Sequence, residues 1–172
     1  MDFLGLLNDK HKIKIFFYSF FLFFLIFSGS GAFAAKSLVF KTKYVKMHYA
    51  DDLTLKSFIW RVSGKKINLP VDFSLAKNIV DMITERVQSV LDMYPVNFSV
   101  DIYLYPEYKH GLIASYNKAT NSIQIYADQV TDGVLAHELA HAVINCYFDS
   151  PPPERIQEIL TQYVDKHLWS DY

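Results

Sequence analysis

Residues Val134-Leu135-Ala136-His137-Glu138-Leu139-Ala140-His141-Ala142-Val143-Ile144 set two imidazoles and a carboxylate into a run that is otherwise apolar. An apolar run of this kind suits a helix buried through the middle of a domain. Polar groups there need partners, because an unpaired one costs a few kcal/mol in an apolar interior. His137 and His141 are four residues apart, so a helix carries them one turn apart on one face. In that geometry both can hold one Zn²⁺, at about 2.0–2.1 Å each. Glu138 is then close enough to take a proton from a water on the metal. The stretch predicts a zinc hydrolase helix.

Catalytic zinc usually has three protein ligands and an exchangeable water. The extended pattern H-E-x-x-H-x-x-G-x-x-H is excluded, since Ile144 and Tyr147 stand where its glycine and third histidine would fall. Downstream candidates are Asp149, Glu154, Glu158, Asp165 and His167. Glu154 falls in the first turn of a last helix, where a carboxylate suits the helix dipole and water. Glu158 lies one turn further in, flanked by Ile159 and Leu160, and is the expected third ligand. Gln162, another turn on, is the expected hydrogen-bonding support for a ligand.

The first residues are a different material. Lys10, Lys12 and Lys14 precede the apolar run 15–27, and small residues follow to Ala34-Ala35. That pattern predicts a signal peptide over residues 1–34, cleaved after Ala34 or Ala35. The alternative is an uncleaved anchor over residues 13–33. Either places residues 35–172, a single domain, in an exported setting, periplasmic or extracellular, with membrane contact only if the segment stays attached. Residues 1–34 take three of the 17 basic and two of the 18 acidic side chains. The remainder is close to neutral, which offers nucleic acid no electrostatic footprint. The single cysteine, Cys146, has no partner for an internal disulfide, and its spacing from Leu135, Leu139 and Ala142 predicts a small core residue.

Along the chain, residues 38–49 are rich in β-formers and predict a first strand, broken by Asp51-Asp52. Leu53–Val62 is ambiguous, and 63–65 is a turn. Asp72 or Ser74 caps a helix to about Met93, with Leu75, Ile79, Met82, Ile83, Val87, Val90 and Leu91 on its core face and Asp81, Glu85, Gln88 and Asp92 on its wet side. A strand follows over 96–105, then a hairpin of Leu112–Tyr116 and Ser122–Tyr126. Thr131 or Asp132 caps the His-pair helix, which runs to about Tyr147. Pro151–Pro153 seat a final helix to about residue 168, with Ile156, Ile159, Leu160, Tyr163, Val164, His167 and Leu168 as its apolar side.

With the His pair and the downstream Glu158 goes an upstream order. Ala114-Ser115-Tyr116-Asn117 is followed by Ser122–Asp128, then by the helix. Together, over about residues 110–165, they resemble the gluzincin (thermolysin-like) zinc metallopeptidases. The resemblance implies a small α+β zincin-like fold, with a mixed or antiparallel sheet, an active-site helix and a following helix that bears the third ligand. It implies His137, His141 and Glu158 on zinc, Glu138 as general base, and an edge strand in which Ala114, Ser115 and Tyr116 pair with a peptide or protein substrate. Gln162 stands where that family has an aspartate, and no obvious histidine supplies an oxyanion partner; Tyr116, Tyr147 and Tyr163 are the phenols available. His48 and His110 read as ordinary strand or surface residues. The expected function is hydrolysis of peptide bonds through a metal-activated water. The alternative is a non-catalytic, zinc-stabilised module that holds a peptide or a cell-wall partner in the same groove.

Overall fold

The β-rich run 38–49 folds as two strands, not one. Thr42 makes the turn: its N–H donates to Val45 O (2.8 Å), and its hydroxyl oxygen accepts from the N–H groups of Tyr44 (3.2 Å) and Val45 (2.9 Å). The chain therefore doubles back, and β1 (Leu38–Lys41) pairs antiparallel with β2 (Val45–Tyr49). The computed structural model describes residues 38–64, 73–109 and 111–170. The proposed leader 1–34, Lys65, Asp72 and His110 lie outside these residues. All the described residues belong to one unit, Ala35–Tyr172. Among them, no helix is long and apolar enough to cross a membrane.

The ambiguous segment is helical: α1 spans Asp52–Val62. Its cap is Asp51, whose carboxylate accepts from Thr54 N (2.8 Å) and from the Thr54 hydroxyl (3.0 Å). These hydrogen bonds hold the Asp51 carboxyl below its ordinary value. A depressed folded-state value stabilises the fold above the ordinary aspartate range and ceases to do so as pH falls through it. Accordingly, Asp51→Ala should cost about 1 kcal/mol at neutral pH. The difference from wild type should vanish in strong acid, as urea titrations at the two pH values would show.

Helix α2 spans Phe73–Leu91. It buries Ala76, Ile79, Val80, Ile83, Val87 and Val90, together with Gln88, while Met82 is exposed. The face is thus turned from the one the sequence suggests: Met82 leaves the core and Gln88 enters it. Asp81 and Glu85 hold the β1–β2 turn, through Lys43 N (3.2 Å) and Lys43 Nζ (3.0 Å) respectively. Asn97, with φ of 58°, is in the left-handed region, which interrupts extended backbone. That is why β3 begins at Val100 rather than 96, and runs to Tyr105.

The hairpin forms as expected, with β4 (Ala114–Asn117) antiparallel to β5 (Ser122–Tyr126). The five strands order as β1-β2-β3-β5-β4, with β2, β3 and β5 parallel. The result is a mixed α+β fold of five strands and four described helices. Register aligns Met47, Ile102, Ile123 and Tyr116 across the sheet, and Leu104, Ile125 and Ala114 beside them. Met47, Ile102, Ile123 and Ile125 are fully buried, so this face carries the core and the helices. The opposite face holds His48, bonded to Asp101 (2.7 Å) and stacked on Tyr103. His48 is therefore a paired strand residue.

Candidate metal centre

Helix α3 (Asp132–Tyr147) is capped by Thr131, whose side chain accepts from Val134 N (3.2 Å). Leu135, Ala136, Leu139, Ala140, Ala142, Val143 and Ile144 are buried, which fixes the roll of the helix. Their burial leaves His137, Glu138 and His141 on the remaining face, toward β4. Cys146 is exposed, contrary to the expectation of a core residue. Its spacing fits the apolar stripe, but residues 146–148 are all exposed, so the last turn runs out beyond the core.

Helix α4 spans Glu154–His167 and starts after Pro153, which sits at its N-cap without a side-chain hydrogen bond. Its roll is the main surprise. Gln157, Thr161, Val164 and Leu168 are buried, whereas Ile156, Ile159 and Tyr163 are exposed. Of the apolar side expected from the sequence, Val164 and Leu168 are buried and Leu160 and His167 half-buried, while Ile156, Ile159 and Tyr163 face solvent. The reason lies in what Gln157 does. Its Nε2 donates to Pro152 O (2.9 Å), which orients the amide, and its Oε1 accepts from Asn145 Nδ2 (2.8 Å). The same Oε1 lies 3.5 Å from His141 Nδ1.

That roll also turns Glu158 to the histidines. His141 Nε2 is 3.2 Å from Glu158 Oε1, and His137 Nε2 is 3.7 Å from Glu158 Oε2. The ring contact between the two imidazoles is edge-on, with centroids 5.1 Å apart. Ligand atoms of His137, His141 and Glu158 all lie within 4.8 Å of one another. Two tetrahedral ligands at zinc bond lengths would be about 3.4 Å apart, so the spacing fits one such ion. Behind the cluster, His137 Nδ1 lies 3.1 Å from Asp165 Oδ2. A carboxylate and an amide oxygen only accept, so the tautomer with its proton on Nδ1 suits these partners and is the one that leaves Nε2 able to bind a metal.

Asp165 and Gln157 thus take the supporting role expected of Gln162. Gln162 is exposed and makes no hydrogen bond with another described residue. Asp165 was within reach of the sequence as a candidate ligand; seven residues from Glu158 is two helical turns, which returns it to the same face. Gln157 gave no such sign, because it precedes Glu158 directly. Asp149, Glu154 and His167 are not part of the cluster.

Glu138 is partly buried, and burial raises its carboxyl above the ordinary value. His137, His141 and the Tyr116 N–H act in the opposite direction, while Glu158 adds to the rise. That amide belongs to the sheet edge. Ile113 O accepts from Tyr126 N (3.0 Å), so Ile113 and Ser115 turn their backbone groups toward β5. Ala114 and Tyr116 present theirs on the open side. The Tyr116 ring lies parallel to that of His141, with centroids 6.4 Å apart, and its hydroxyl donates to Asn121 Oδ1 (3.2 Å). Tyr147 and Tyr163 are exposed and do not line the cleft described next.

Two cavities meet at the cluster. One, of about 710 Å³, runs past Tyr116 and Lys118 to the wall formed by Pro151–Pro153 and Glu154. The other, of about 490 Å³, runs past Leu112 and Val134 to Asp165. Both share Leu112, Ala114, His137 and Glu138. Ala114, Ser115 and Tyr116 all line the larger one. The cleft therefore follows the open edge of β4, with the His–His–Glu cluster at its middle.

No protein-family model, curated protein or solved structure matches this chain.

Proposed function

We propose that this domain is a zinc-dependent metallopeptidase of the gluzincin type, on a minimal zincin-like α+β scaffold. One observation carries the reading: the Nε2 atoms of His137 and His141 and both oxygens of Glu158 converge in a cleft beside an open strand edge. A structural histidine pair has no need of a third group from another helix, nor of separate acceptors on each Nδ1. In this reading His137, His141 and Glu158 hold zinc. Bound there, the ion supplies Lewis acidity to a water and to the scissile carbonyl. Glu138 accepts the proton of that water and passes it to the leaving amine. An extended peptide pairs with the backbone of Ala114 and the carbonyl of Tyr116 as an added strand, which sets its own carbonyl beside the cluster. The leader-like composition of residues 1–34 supports export of the domain.

Metal content tests the reading. The purified wild-type protein should carry one zinc per chain, and Glu158→Ala should lose it on dialysis against a weak chelator. Zinc-free wild type, or zinc held equally well by Glu158→Ala, refutes the ligand set. Gln157→Ala keeps all three proposed ligands but removes the oxygen beside His141 Nδ1, and leaves Asn145 Nδ2 with the His141 carbonyl alone. Its zinc affinity should fall by about 10–100-fold in a competition titration.

A further inference from the structure

The two halves of the cleft differ in chemistry. Toward Lys118 the walls are mixed, with Asn145, Glu154 and Gln157 beside Tyr116 and Pro151–Pro153. Toward Asp165 they are Leu112, Ile113, Ala114, Gly133 and Val134, and beyond the shared His137 and Glu138 the only charged group is the Asp165 carboxylate. One of its oxygens meets His137 Nδ1. Among the described residues no lysine or arginine pairs with it, and 40% of its side chain is exposed. An apolar passage of about 490 Å³ that ends on a carboxylate without a cation suits a side chain with a long aliphatic stem and a cationic end.

We propose that Asp165 makes this half of the cleft a subsite for a lysine-like side chain next to the scissile bond. The proposal rests on the peptidase reading above. Antiparallel addition to β4, the more stable pairing, lays the C-terminal part of a substrate along Leu112–Ala114. The side chain received there is then that of the residue following the cleaved bond. Its methylenes lie against Leu112 and Val134, and its ammonium reaches the free oxygen of Asp165. The charge balance permits this: Glu138, Glu158 and Asp165 outnumber the two charges of one zinc ion, so the site keeps a net negative charge.

The test compares two peptides that differ only after the scissile bond, one with lysine and one with norleucine, which has the same stem and no charge. Hydrolysis is measured on the zinc-loaded full chain and its Asp165→Asn variant. Equilibrium binding is measured on the same pair in the Glu138→Gln background. Asparagine still accepts from His137, and whatever the substitution costs through that imidazole is common to both peptides and cancels in their ratio. Wild type should favour lysine by about tenfold in kcat/KM and in Kd, and Asp165→Asn should bring both ratios close to one. Equal ratios in the two proteins, or a wild type that favours norleucine, overturn the subsite. Cleavage without a lysine preference removes this proposal and leaves the peptidase standing. A lysine preference in binding without cleavage of either peptide does the reverse.

Discussion

Zinc-loaded Glu138→Gln should hydrolyse peptides about 10²–10⁴-fold more slowly than wild type, a barrier higher by about 3–5 kcal/mol. Glutamine keeps the size and one carbonyl oxygen of glutamate but cannot take up a proton. The three proposed ligands are untouched, so zinc content should match that of wild type. The pairing of those two results is what matters: a loss of rate together with the metal would say only that the cluster had come apart. Glu138 is placed for the role because it lines both halves of the cleft beside the two imidazoles. Measuring kcat/KM beside zinc content decides the matter. A variant within a few-fold of wild type would place the base elsewhere.

The second large effect is on stability. His137 and His141 lie on α3 and Glu158 on α4, so an ion bound by all three ties the two helices together. An ion that binds only the folded chain stabilises it by about 4 kcal/mol when present at a thousand times its Kd. For a domain of this size that raises Tm by about 10–15 °C. Thermal unfolding of the wild type with zinc, and again after chelation, should show the difference. In Glu158→Ala the shift should shrink to about a third or less, since two imidazoles of one helix make a weak site. An equal shift in both proteins would mean that the stabilising ion is bound somewhere other than between these helices.

The clustering of His137, His141 and Glu158 was more legible in the sequence than the frame that holds it. His137, Glu138 and His141 were legible because helical spacing alone brings them together, and the hairpin because Ser122–Tyr126 and the segment before it are separated by turn-forming residues. Glu158 required a guess about which way α4 faces, and the apolar pattern misled on that point. Ile156, Ile159 and Tyr163 suggest one face; the hydrogen bonds of Gln157 to Pro152, Asn145 and His141 impose another. Local patterning gives way where polar groups assemble a site. The same rotation explains why Asp165, not Gln162, meets His137. Elsewhere the misreadings have local causes. Thr42 folds one expected strand into two, and Asn97 delays β3 by four residues. The ambiguity of α1 is resolved by Asp51, a capping residue that also looks like a strand breaker. Cys146 fits the core stripe by angle and misses it by position along the axis.

An open strand edge is a template for any extended chain, including another copy of the same protein. At β4 three features blunt that hazard. The strand is four residues long, exposed Lys118 follows it directly, and the outward amide of Tyr116 already acts on Glu138. A stray strand would have to compete with an internal carboxylate and set its own backbone beside a lysine. The same features meet any guest chain, whose pairing is left to the backbone of Ala114 and the carbonyl of Tyr116.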